Sequence, residues 1–108
     1  MTNEELYYRY AEHLNGDPYM ARNTRLSYLG DVRRYLEFMG ESALTDATPE
    51  TIVSLILSLN ENGRSNASIH RIVIGVRNFY KFLKAEGYIA ANPVKDFSTK
   101  KVNELIKY

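Results

Sequence analysis
The sequence is 108 residues long with 44% hydrophobic and 25% charged residues, proportions that suit one folded domain and exclude a disordered tail or a membrane-embedded chain. It has no cysteine, which excludes disulfide staples, thiolate metal sites and a cysteine nucleophile and points to a reducing setting. A net charge of +1 is too small to signal a nucleic-acid partner by itself, and neither a signal peptide nor an apolar run that spans a bilayer is legible, so the expected location is the cytoplasm with no membrane partner.

Thr2 followed by Glu5 has the form of a capping box, and Leu6, Tyr7, Tyr10, Ala11 and Leu14 then recur at helical spacing, predicting a first helix to about Leu14. Asn15-Gly16-Asp17-Pro18 is a stop and turn signal. A second helix starts between Tyr19 and Ala21, with a core stripe of Ala21, Tyr28, Val32, Tyr35 and Met39 and an opposite face bearing Arg22, Asn23, Arg33 and Arg34. Gly40 closes it. Thr48-Pro49-Glu50 supplies a cap, a first-turn proline and an acid at the positive end of the dipole, so a third helix starts there. Its apolar residues, among them Ile52, Leu55, Leu57 and Leu59, lie nearly all round the helix, the pattern of one buried between neighbours. A fourth helix opens at Ser65 or Asn66 and carries the most regular period in the chain, through Ile69, Ile72, Val76, Phe79, Tyr80 and Leu83, before Gly87. Asn92-Pro93 predicts a turn, and Val102, Leu105 and Ile106 predict a short fifth helix. The expected fold is all-α, a four-helix orthogonal bundle with a short C-terminal helical segment.

Charge is segregated along this chain. Residues 19–40 and 63–87, which hold the second and fourth helices, carry +2 and +4, whereas residues 1–18 and 41–62 carry −3 and −4. If the two basic helices lie side by side they form one positive face. His13 and His70 stand far apart without the neighbours of a metal or acid-base site, so no metal or cofactor is expected. Tyrosine can attack phosphate, and nine are present. Tyr10, Tyr28, Tyr35 and Tyr80 fall on core stripes, however, where they supply buried area with a hydroxyl at the rim, and no catalytic set is expected. Both basic helices open with small polar residues followed by cations, as in Arg22-Asn23-Thr24-Arg25 and Ser65-Asn66-Ala67-Ser68-Ile69-His70-Arg71. Such starts suit phosphate contact. Equally, Thr24, Ser65 and Asn66 serve as plain caps with solvated arginines beside them, and one such helix alone would favour that reading.

The stretch Asn23-Thr24, Tyr28, Asp31-Val32, Tyr35 resembles the core-binding, or SAM-like, N-terminal domain of the tyrosine recombinase and phage integrase family. So does Ser65 to Arg71 with Val73, Arg77, Phe79-Tyr80 and Phe82-Leu83, closed by Gly87, Ile89 and Asn92-Pro93. The resemblance covers residues 1–97 and implies a clamp on duplex DNA, with the second and fourth helices crossing the major groove. It implies that residues 98–108 begin a linker to a catalytic domain outside this chain, which would hold the arginine, histidine and tyrosine of strand cleavage. Other recombinase subunits become partners on DNA, the isolated fragment is expected to be monomeric, and its location is the nucleoid. The expected DNA contacts are Arg22, Asn23, Thr24, Arg25 and Ser27 in the second helix and Ser65, Asn66, Ser68, His70, Arg71, Arg77 and Lys81 in the fourth. Arg71 is the expected base reader, one turn into its helix, while Arg22, Arg25, Arg77 and Lys81 are expected to meet phosphates. Three positions depart from the family pattern: Ala21 replaces a frequent serine and Ile74-Gly75 a common Ser-Ala. Gly75 either weakens the helix or permits close packing. The competing function is a helical protein-interaction module docking a partner through its Tyr-rich first helix.

Overall fold
The computed structural model describes residues 1–106. The helices are α1 (Asn3–Asn15), α2 (Arg22–Met39), α3 (Pro49–Glu61), α4 (Asn66–Ala85) and α5 (Thr99–Leu105), with a single 3-10 turn at Leu44–Asp46, and among the described residues there is no strand. The fold is an all-helical bundle, and no helix among the described residues is long and apolar enough to cross a membrane.

The helix starts follow the chemistry expected of them. Thr2 accepts from the Glu5 amide at 3.1 Å while the Glu5 carboxylate accepts from the Thr2 amide at 3.0 Å, closing the capping box. Ser65 and Ser98 cap α4 and α5 by accepting the amides of Ser68 and Lys101, and the Thr51 hydroxyl accepts from the Thr48 amide at the head of α3. At the head of α2, Ala21 offers no side-chain cap. The α4 end turns at Gly87, whose φ of +82° is the left-handed conformation that favours glycine.

One core joins all five helices. In α2 it takes Val32, Tyr35, Leu36 and Met39. Ala21 does not belong to that stripe, because it sits exposed ahead of the first turn, and Tyr28 is half-buried. α3 is not buried all round: Leu57 is 42% exposed, because α3 packs mainly on α4 and α5 and leaves its outer face to solvent. The tyrosine hydroxyls were expected at the rim, yet Tyr35 and Tyr80 are wholly buried and bond to each other, 2.6 Å apart. Tyr80 in turn donates to the Leu44 carbonyl at 2.9 Å, so Tyr35 is the donor of the pair. This relay satisfies two buried hydroxyls and fixes the 3-10 turn against α4. Asn3 holds the same turn from α1, donating to the Ser42 carbonyl and accepting from the Leu44 amide.

The largest helix interface is that of α2 and α4. A Cβ added at Gly75 would lie 2.9 Å from Asp31 Cβ, so the glycine permits a close approach that alanine forbids. Residues 98–106, expected as the start of a linker, are part of the body: Val102 and Ile106 are 1% exposed and enter the common core with Val94 and Phe97 of the connector. Lys107 and Tyr108, the end of that expected linker, lie outside the described residues.

Two tests follow from this packing. Gly75→Ala is expected to lower stability by about 1–2 kcal/mol, because overpacking outweighs the better helix propensity of alanine. Gly30→Ala, where a Cβ meets nothing within 4 Å, is expected to raise it by about 0.5–1 kcal/mol; denaturant midpoints of the two variants should move in opposite directions. Burial pushes the Tyr35 hydroxyl from an ordinary 10.0 up to about 12, with its bond to Tyr80 opposing. Tyr80 and Tyr10 are raised too, chiefly by burial. A folded pKa above the unfolded one favours the protonated native state, so this stability is complete below about pH 10 and is lost as pH climbs through the raised values. Tyrosinate absorbance should therefore show a cooperative alkaline step, from Tyr10, Tyr35 and Tyr80, coincident with loss of helix.

Candidate nucleic-acid interface
At the seam of the two basic helices, Tyr28 shares a groove with Asn78, Lys81 and Phe82, Asp31 meets Arg71 and Gly75, and Arg34 and Phe38 share a groove with Arg64. Residue numbers thus fall along α4 as they rise along α2. The two helix starts consequently lie toward opposite ends of the shared face.

Asp31 is the one buried charged residue among those described, at 1% exposure. Its Oδ1 accepts from Arg71 Nη2 at 3.0 Å and lies 3.7 Å from Arg34 Nη1. Its Oδ2 is buried without a hydrogen-bond partner. Leaving a buried polar atom unmade costs about 1–3 kcal/mol, and removing a carboxylate from water costs more, so this arrangement is a poor device for stability alone. Arg71 keeps a half-exposed side chain while tied to α2. Asp31 is not among the residues expected to contact DNA, although a signal existed: it stands three residues after Tyr28 and four before Tyr35, placing an acid on the apolar stripe of α2.

The remaining expected residues divide. Arg22, Asn23 and Thr24 are exposed in the uncapped first turn of α2, where backbone amides and the dipole favour an anion. Ser27 is half-buried one turn on, and Arg25 is half-buried with a long bond to the Met20 carbonyl. Ser65 and Ser68 are bonded to each other at the head of α4, beside the exposed Asn66. Lys81 is exposed at the groove beside Tyr28.

His70 and Arg77 are brought elsewhere. His70 Nε2 donates to Asn103 Oδ1 of α5 at 2.7 Å. The Arg77 guanidinium donates to the carbonyls of Val94 and Phe97, and Asn92 returns a bond from its side-chain amide to the Arg77 carbonyl at 3.2 Å. The Asn92 side chain also accepts from the Val94 amide at 2.9 Å, which makes the Asn-Pro turn. Arg33, expected on the open face of α2, reaches α1 instead: it pairs with Glu4 at 2.5 Å and lies over the Tyr7 ring. The bond from Arg33 holds the Glu4 carboxyl below its usual range.

Residues 8–87 match the family described as the phage integrase N-terminal SAM-like domain. The chain belongs to this family. It is 37% identical over 82 residues to the tyrosine recombinase XerD of Chlorobaculum tepidum, covering 74% of this chain and 27% of that relative. A putative tyrosine recombinase of Caldanaerobacter subterraneus subsp. tengcongensis is 29% identical over 103 residues, 94% of this chain and 36% of the relative. The tyrosine recombinase XerC of Oceanobacillus iheyensis is 31% identical over 101 residues, 86% and 32%. The chain therefore spans about a third or less of the length of these curated relatives. No solved structure gives a significant match. In this SAM-like domain the Tyr, Asp and Tyr of the first motif are the half-buried Tyr28, the seam carboxylate Asp31 and the relay donor Tyr35. The closing Asn92-Pro93 is the turn clasped by Arg77.

Arg77→Ala is expected to release the connector while leaving α1 to α4 folded. Hydrogen exchange should accelerate at the amides of Val94, Phe97 and Val102, and unchanged protection there would show that the clasp is dispensable.

Proposed function
We propose that this chain is the N-terminal DNA clamp of a tyrosine recombinase and holds duplex DNA with the α2–α4 face. One observation carries the reading: Arg34 and Arg71, from different helices, converge on the same carboxylate at the seam. The exposed Lys81 and the open first turn of α2 extend that face toward one end, and the exposed Asn66 at the start of α4 extends it toward the other. Family membership supports it, and the relatives' names supply the recombinase. Cleavage and rejoining of strands, with the nucleophilic tyrosine and its arginines and histidine, are assigned to sequence outside this chain.

On this reading the phosphate contacts come from Arg22, Arg25 and Lys81 together with the short donors Asn23, Thr24, Ser27, Ser65, Asn66 and Ser68. Arg71 reaches a base edge, where a guanidinium meets guanine with two hydrogen bonds. His70 and Arg77 contribute by holding α5 and the connector in place and reach DNA only if those bonds are exchanged. Further recombinase subunits join on DNA, in the cytoplasm at the nucleoid.

Titration of labelled duplex at rising salt tests the proposal. If about four phosphates are neutralised, the slope of log affinity against log salt is expected near −3 to −4, and Lys81→Ala should reduce it by about 1. Amide shifts should concentrate in α2 and α4. Shifts confined to α1 and α5, or affinity indifferent to salt, would favour the protein-docking alternative. Incubation with supercoiled plasmid is expected to give no nicking, no relaxation and no covalent adduct, and an adduct on any tyrosine of this chain would overturn the division of labour.

A further inference from the structure
The unexplained group at the seam is Asp31. Its carboxylate is buried, yet one oxygen has no partner and the other is held by an arginine whose side chain stays half-exposed. Space for it exists because Gly75 lacks a Cβ, which would otherwise stand 3.1 Å from Oδ2 and 2.9 Å from Asp31 Cβ. A buried acid beneath a basic face weakens the general attraction of that face for phosphate. Its counterpart is geometric. An unrestrained arginine has many rotamers, whereas a guanidinium tied by Nη2 to a fixed carboxylate is pre-organised and keeps its other donors for a second acceptor.

Resting on the duplex-binding reading above, we propose that Asp31 is a positioning residue: it fixes the guanidinium of Arg71 at the α2–α4 seam so that the outward donors read one base edge. Asp31 touches no nucleic acid in this arrangement. Arg71 is the specificity-determining group, Gly75 makes the room, and Arg34, 3.7 Å from the same oxygen, is the neighbouring cation that turns to phosphate.

The test separates preference from affinity. A pool of duplexes with a randomised central segment is enriched on the protein and sequenced, and affinity for the unselected pool is measured in parallel. The wild type is expected to show preference at one base pair. Arg71→Ala and Asp31→Asn should each erase it, by about 5–100-fold in discrimination at that pair, and the double variant should be no worse than either. The two singles should differ in pool affinity: Arg71→Ala lowers it, while Asp31→Asn raises it a few-fold by removing a negative charge. A purely structural role for Asp31 predicts instead a loss of both affinity and preference. Preference surviving in Asp31→Asn but not in Arg71→Ala, or additive losses in the double variant, would overturn the proposal. A wild type that binds the pool with flat preference overturns it while leaving the clamp reading intact, and a wild type that binds no duplex at low salt removes both. Should Asp31→Asn fail to fold, the restraint is read in the wild type by NMR: rotation of the Arg71 guanidinium should be markedly slower than that of Arg22, and equal rates would refute the tether.

Discussion

The approach of α2 to α4 at Asp31 and Gly75 is the constraint on which the other contacts rest. A side chain at position 75 would hold the helices apart at the point where Asp31 enters. Their separation brings the Tyr35 hydroxyl within reach of Tyr80, and through Tyr80 it fixes the turn at Leu44. The same approach places the two basic segments of the chain on one seam. Two helices spread apart there would lose the buried relay and the shared arginine anchor together.

The fate of the cations decides which of them stay available on the α2–α4 face in a chain of net charge +1. Arg33 is neutralised across α1 by Glu4, and Arg77 is turned to main-chain carbonyls of the connector. Arg34 and Arg71 are gathered at the seam, and Arg22 and Lys81 stay exposed. Distribution across the folded surface decides what a partner meets, and the whole-chain sum hides it.

Helix existence and most caps were legible because periodicity and capping are local. Thr2 with Glu5, Thr48-Pro49, Ser65 and Gly87 each act within a few residues of where they stand. The fifth helix was visible in Val102, Leu105 and Ile106, but its docking on the core was not, since the spacing of three apolar residues says nothing about what they meet. The 3-10 turn at Leu44 was invisible for a related reason: Asn3 and Tyr80, which hold it, lie about 40 residues away on either side. Within the candidate site, residue type predicted exposed cations at Arg22, Arg71 and Lys81. It did not distinguish these from Arg33 and Arg77, because an arginine's partner is set by tertiary contacts. Gly75 left two readings open in the sequence, and Asp31 Cβ, 2.9 Å from the position a side chain would take, decides between them.

The clasp of Arg77 on the connector has a mechanical consequence. Val94 and Phe97 are locked into the core, the arginine holds their carbonyls, and His70, about two turns back along α4, pins α5. α4, the connector and α5 therefore form one stiff lever with its fulcrum in the bundle. The thirteen or so residues between α4 and α5 are not a slack tether, because Val94 and Phe97 are buried in the core and Arg77 of α4 holds their carbonyls. Elastic compliance in this domain is thus not to be sought in the segment that leaves α4.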